Sequence, residues 1–382
     1  MWIGIDFGTH YSSAALVLNG ELIKIKDPLN HSYSVPSAVY IPETGNPLVG
    51  QSAINKRSKH PERFQDEFKR DLGSGHVYSF GKSAEDLATL VLRYLREETN
   101  KILKSRGYAE SSKAVITVPA TYTLQKRTLM KTIAETAGFE ECQLLEEPIA
   151  AAIHYANKNH QFSKGIILVY DLGAGTFDVS LIEKEAGGYK NLGVPNGLSQ
   201  CGGIDFDHKI YQDLSNKCSE ALKERLKRYN SSDDYRLHFF IEDQCRELKH
   251  QLSASWEAEI IIPGGYVEEY SLNRKEFNFL IQSLVEETIY SCEELLQTAG
   301  MTWNQVDQVL LVGGSSRIPL VQETISQKFG KLPLQVDDPE LSISLGAATY
   351  GNQIYDNHIQ KDLFSVKKSK QVPFYNPNRV WE

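Results

Sequence analysis

Two β-favouring apolar runs, residues 166–170 and 177–182, lie close together in the chain and predict two paired strands. A two-residue Asn-Gly or Asp-Gly turn would suffice to join them. The connection is instead rich in small and polar groups: Asp171, Gly173, Ala174, Gly175 and Thr176, with Asp178 just beyond. The same pattern occurs near the start. Residues 3–17, IGIDFGTHYSSAALV, echo residues 168–182, LVYDLGAGTFDVSLI, with Asp6 matching Asp171 and Gly8 matching Gly173 at one common offset. Each copy reads as strand, small-residue turn and returning strand, which suggests a duplicated architecture whose turns face each other across a cleft. Helical spacing appears after Ser83, where Leu87, Leu90, Val91, Tyr94 and Leu95 share a face and Asp86 completes a capping pair. Pro148 predicts the first turn of a helix running through Tyr155. Residues 245–253, CRELKHQLS, form an amphipathic helical piece on which Arg246, Lys249, His250 and Ser253 recur.

Composition narrows the setting. A chain of 382 residues, 41% hydrophobic and 24% charged, exceeds the size at which one core usually splits, so two lobes are expected. The net charge of -8 gives no footprint for nucleic acid. Cys142, Cys201, Cys218, Cys245 and Cys292 are scattered without zinc-ligand spacing, which fits a reducing cytoplasm. The first residues, MWIGIDFG, read as a strand rather than a leader, and no 18-residue apolar stretch follows, so no membrane association is expected.

The turns carry the chemistry. Glycines allow backbone N–H groups to approach phosphate oxygens, and Thr9 and Thr176 add hydroxyls. Asp6 and Asp171 beside phosphates make sense when a divalent cation lies between, and Mg²⁺ favours a few carboxylates plus phosphate oxygens. Either turn alone could be a plain glycine-rich hairpin; the matched pair points to a nucleotide clamp. GHVYSFGKS imitates a P-loop, but His76 stands where that loop needs glycine.

Six segments then carry a family resemblance: IGIDFGTHYS, TVPATYTLQKR, LLEEPIAAAIHYA, VYDLGAGTFDVSLIE, CGGIDFD and LVGGSSRIPLVQ. In this order they resemble the signature segments of the ATPase domain of DnaK-type heat-shock chaperones, an actin-fold family. With GAATYG the resemblance covers nearly the whole chain, and FKRDLGSG, KFGKLP and LGAA are most similar to a bacterial HscC-like branch. The resemblance implies an α/β actin-like ATPase fold, with two lobes of duplicated sheet-plus-helix architecture around a central nucleotide cleft. Its lobes would be residues 1–160, with an insertion at about 37–112, and 161–334, with an insertion at about 233–279. Residues 335–360 would return to the first lobe, leaving 361–382 as a tail or linker remnant.

The resemblance also implies roles. Gly8, Thr9, His10 and Tyr11, with Gly173, Ala174, Gly175 and Thr176, would bind phosphates. Asp6 and Asp171 would hold Mg²⁺ through its waters, with Asp171 and Thr176 also counted in the catalytic group. Lys69 would reach the γ-phosphate and Glu147 orient the attacking water; their plain readings are a solvated lysine and a helix-start acid. Gly202 and Gly203 join the site, and Arg246, Lys249, His250 and Ser253 take adenosine-contacting positions. Gly313, Gly314, Ser315 and Arg317 complete that end, with Arg317 stacking on the base, and Glu340 stands where the family usually has aspartate. Three further departures accompany the match: His10 replaces a threonine, Ala174 a glycine, and Arg246 a glutamate that accepts from ribose hydroxyls. An alanine forced to positive φ would cost on the order of 1–2 kcal/mol, whereas at negative φ the amide can still face the nucleotide and little is lost; the substitution is expected to be tolerated.

The function implied is Mg²⁺-dependent ATP binding and slow hydrolysis to ADP, which switches lobe closure and contacts with a J-domain co-chaperone and a nucleotide-exchange partner. A client is implied only with a substrate-binding domain or separate partner, for which too few residues follow Ala348. The rivals are a nucleotide-binding module that does not hydrolyse, an actin-like filament protein, and a small-molecule kinase, for which no base motif is seen.

Overall fold

The computed structural model describes residues 1–158, 164–185, 188–262, 268–335 and 338–356; the expected tail, 361–382, lies outside them. The chain begins with an antiparallel meander, β1 (Ile3–Phe7), β2 (Tyr11–Leu18) and β3 (Glu21–Lys24), with β4 (Val35–Pro36) added to β2. A small sheet follows, built from β5 (Val39–Tyr40), β6 (Leu48–Val49) and β7 (Phe64–Gln65) around α1 (Gln51–Ile54). A short 3₁₀ turn, Phe68–Asp71, then carries Lys69 and leads towards α2 (Ala84–Ser105). Next come β8 (Lys113–Val118), α3 (Leu124–Thr136), β9 (Glu141–Glu146) and α4 (Glu147–Lys158). β8 and β9 extend the first sheet in parallel beside β1, giving the order β3-β2-β1-β8-β9.

The second sheet repeats this plan. It comprises β10 (Gly165–Leu172), β11 (Phe177–Glu185) and β12 (Gly188–Leu198) as the meander. The helices α5 (Gly203–Lys217), α6 (Glu220–Leu226) and α7 (Ser232–Ala254) follow, then the ribbon β13 (Glu257–Ile262) and β14 (Glu268–Asn273), and α8 (Arg274–Thr298). β15 (Gln308–Val312), α9 (Pro319–Phe329) and β16 (Leu334–Gln335) complete it, in the order β12-β11-β10-β15-β16, and α10 (Ser342–Asp356) closes the described chain. The sequence echo is carried into hydrogen-bond register. Ile3 pairs with Leu16 and Asp6 with Ser13, while Leu168 pairs with Leu181 and Asp171 with Asp178. Matched register places both aspartates at the same point of their hairpins, one residue from the strand end.

Each sheet has its own core. Ile3, Ile5 and Phe7 pack with Leu87, Val91 and Leu95 of α2, so the helical period read after Ser83 is the face laid on the first sheet. Leu168, Tyr170 and Phe177 pack with Phe206, Leu248 and Ile281 in the second. A third cluster joins the halves: Val115 and Leu145 from the first sheet, Val169, Ile182 and Leu310 from the second, and α4 and α10 between them. There the helices cross closely. A Cβ on Gly346 would lie 1.9 Å from the Ala150 carbonyl oxygen, and one on Gly4 would lie 2.1 Å from the Ala348 nitrogen. All five cysteines are free, and no helix among the described residues is long and apolar enough to cross a membrane.

Candidate functional site

The two aspartate-bearing turns open into one cavity of about 690 Å³ between the sheets. It is lined by Asp6, Gly8, Thr9, His10, Tyr11, Lys69, Glu147, Asp171, Gly173, Ala174, Gly175 and Thr176. Gly203, Arg246, Lys249, His250, Ser253, Gly313, Gly314, Ser315, Arg317 and Glu340 line it too. Residues as distant in sequence as Asp6 and Glu340 thus share one wall. Gly202 alone of the expected residues does not line the cavity; it sits behind the second turn, where a Cβ would meet the Ala174 carbonyl oxygen at 2.4 Å.

Local hydrogen bonds fix the second turn. Gly173 N–H donates to the Thr176 carbonyl (3.1 Å), and the first amides of α5, from Gly203 and Ile204, donate to the carbonyls of Gly173 (3.0 Å) and Ala174 (2.8 Å). The Ser315 hydroxyl adds a second donor to Gly173 (2.9 Å). Ala174 does not have positive φ, so the alanine stands there without strain. The turns touch directly: a Cβ on Gly175 would lie 2.8 Å from Cγ2 of Thr9.

Between the turns, Lys69 Nζ donates to Glu147 Oε1 at 3.2 Å, and both side chains are nearly buried. Lys69 is therefore no solvated surface lysine. Its neighbour Arg70 reaches across the cleft to the Gly175 carbonyl (2.8 Å) and lies 3.7 Å from Asp205. Glu146, the residue just before Glu147, is instead held by Arg127 (2.8 Å) and Asn191 (2.6 Å) and does not line the cavity. At the far end, Lys249 donates to the Gly203 carbonyl (2.7 Å) and pairs with Asp207 (2.8 Å). Arg246 lies 3.8 Å from Asp207 and 3.5 Å from Asp243. Arg317 is exposed at the rim.

Acids dominate the floor. Burial pushes Asp6 up to about 7, helped by Glu147 and opposed by Lys69 and by a hydrogen bond from Thr117. Burial, then Glu147, Asp178 and Asp6, hold Asp171 well above the usual carboxylate range. Asp178 rises to about 6, chiefly through burial and Glu147. Burial alone would lower Lys69, but Glu147, Tyr122 and Asp6 outweigh it and hold the ammonium above its ordinary value. Crowded beside one ammonium, these acids keep their protons in the ligand-free site, and a divalent cation entering there would displace the protons and be held by the freed carboxylates. Among the described residues no three donor side chains converge as a metal cage. A cation keeping several waters and borrowing phosphate oxygens therefore fits this donor set, which is the habit of Mg²⁺.

Sequence reasoning left Asp178, Arg70 and Asp207 out of the site. Asp178 follows the second turn and Asp207 is the last residue of the CGGIDFD segment, so their place in these motifs was the available signal. Arg70 stands beside Lys69 in FKRDLGSG, but its reach to Gly175 and Asp205 in the second half of the chain is not readable from that segment.

The sequence pattern of the Hsp70 protein family matches residues 76–365. The chain belongs to the Hsp70 family. It is also similar to the chaperone protein HscA homolog of Aromatoleum aromaticum, 34% identical over 381 residues. That alignment takes in 94% of this chain and 59% of the relative, so this Hsp70 chain spans about three-fifths of the length of the curated relative it matches. The mixed α/β architecture, with its repeated sheets around a cleft, is the actin-like ATPase fold of Hsp70 domains.

Proposed function

We propose that this chain is the ATPase module of an Hsp70-type chaperone, binding ATP with Mg²⁺ and hydrolysing it slowly, with nucleotide state setting how far the two halves close. One observation carries the reading: two hairpins of matched register present Asp6 and Asp171 to the same cavity, with the Lys69–Glu147 pair between them. Amides and hydroxyls of residues 8–11 and 173–176 cradle the phosphates. Asp6 and Asp171, which line the cavity, would hold Mg²⁺, and the ion would supply charge neutralisation at the phosphates. Lys69 turns to the terminal phosphate, which frees Glu147 Oε1 to accept from the attacking water and align it. Asp171 and Thr176 brace the same end, and Asp178 shares the acidic floor beside them. Arg246, Lys249, His250 and Ser253 on α7 face Gly313, Gly314, Ser315, Arg317 and Glu340 across the nucleoside end, where Arg317 stacks on the base.

The same reading divides the chain into residues 1–160 with 335–360 and residues 161–334. It places the molecule in the cytoplasm with ATP and ADP as ligands, and with a J-domain co-chaperone and a nucleotide-exchange partner, a client following only with a substrate-binding domain or a separate partner. Branch membership near the HscC-like proteins rests on FKRDLGSG, KFGKLP and LGAA alone. Single-turnover hydrolysis of ATP with Mg²⁺ tests the proposal, with Lys69→Ala and Glu147→Ala compared. Slow hydrolysis lost in both variants while binding persists is the expected result. Binding without turnover in the unmodified chain would favour a non-hydrolysing nucleotide module, a reading helped by Glu147 being already engaged by Lys69. ATP-dependent sedimentation would favour a filament protein.

A further inference from the structure

His10 occupies the middle of the first turn, lines the cavity and is only 7% exposed. Its carbonyl accepts from Ser37 N–H (2.8 Å), which pins the backbone, and its ring meets Tyr11 edge-on at 4.8 Å. Its Nδ1 is buried without a hydrogen-bond partner. A buried ring nitrogen with no partner in a ligand cavity calls for an explanation. Four cations act electrostatically on the imidazole: Arg246 and Lys249 from α7, Arg57 from beyond α1, and Arg70 from the 3₁₀ turn. Each of them is tied to acids further out. Arg57 pairs with Asp243, Arg70 with Glu67 and Asp205, Arg246 with Asp207 and Asp243, and Lys249 with Asp207. Burial and these cations push His10 down to about 3, so the ring is neutral in the ligand-free protein.

A polyphosphate entering this cavity reverses the field that keeps the ring neutral, because several negative charges arrive inside the ring of cations. Resting on the nucleotide reading above, we propose that His10 takes up a proton from solvent as the polyphosphate enters and donates a charge-assisted hydrogen bond to it, making nucleotide binding proton-linked. The proton returns to solvent on release, and no covalent bond is made or broken. The His10 contribution to affinity then strengthens as pH falls, about fivefold between roughly pH 7.5 and 6 for uptake of about half a proton, measured against a variant without the imidazole.

The experiment is calorimetric titration of the full chain with ADP and Mg²⁺ near pH 6, in buffers of different ionisation enthalpy. The dependence of the heat on buffer counts the protons taken up. His10→Thr and His10→Asn are compared, the latter keeping a polar atom near the Nδ1 position without the ability to charge. The acids of the floor release protons to Mg²⁺ in all three proteins, so the expected result is a difference: the unmodified chain takes up a large fraction of one proton more than either variant, with a correspondingly different pH slope of affinity. Equal proton counts in all three proteins overturn the inference while leaving the nucleotide reading intact. No ADP binding in the unmodified chain removes both. Should the variants fail to fold, ring-¹⁵N spectra of the unmodified chain decide: one histidine must become imidazolium as ADP saturates the site, and none doing so overturns the inference.

Discussion

Gly175 shows what one hydrogen atom in place of a methyl does in this cavity. Its φ is not positive, so its need for glycine is spatial: a methyl there would press into Thr9 of the opposite turn. Gly175→Ala is expected to cost ADP affinity on the order of 1–3 kcal/mol, read by calorimetry, with the fold retained. Ala174→Gly, one residue away, should change affinity little, because Ala174 already stands in an unstrained conformation. The acids give a pH signature of the ligand-free protein. Asp6 at about 7 and Asp178 at about 6 bind protons in the folded chain that an unfolded carboxylate has already released. The stability these two acids contribute is therefore fully present below the ordinary carboxylate range and is lost as pH rises from there through about 6 for Asp178 and about 7 for Asp6. Asp6→Asn should raise ligand-free stability by on the order of 1 kcal/mol at about pH 8, measured by urea unfolding, while abolishing the effect of Mg²⁺ on ADP binding. Asp6, Asp171, Lys69 and Glu147 were legible because motifs surround them. Arg70 was not, since its meaning lies in a carbonyl that only the folded chain brings near.

At the scale of elements, the helix after Ser83 was readable to its cap. The Ser83 hydroxyl accepts from Asp86 N–H (3.3 Å), and the Asp86 carboxylate accepts from Ser83 N–H (3.1 Å). Ser83→Ala should destabilise the protein by about 1 kcal/mol in chemical unfolding without altering nucleotide affinity, because the cap lies outside the cavity. The paired hairpins were equally legible, down to which aspartates match. The strands β4 to β7 were not, because two residues carry no period and only pairing with neighbours makes them strands. The crossing of α4 and α10 was hidden for a related reason. Glycine in GAATYG reads as a family letter until Ala150 is seen against it.

Across the whole molecule, the cleft is bridged on its open side as well as its floor. Arg57 pairs with Asp243 and lies 4.8 Å over the Phe239 ring, which also faces Phe64. Arg70 adds its bond to Gly175. Arg57→Ala should therefore speed release of a fluorescent ADP analogue in stopped flow by roughly tenfold, with slower effects on association. At the opposite side, the chain enters the second half after α4 and returns just before α10, and these two helices pack at the Gly346 crossing. Entry and exit side by side make the second half a door hung on a single hinge pin. A door has one angle, so distances measured between dye pairs placed anywhere across the gap should all change together, along one coordinate and with one rate.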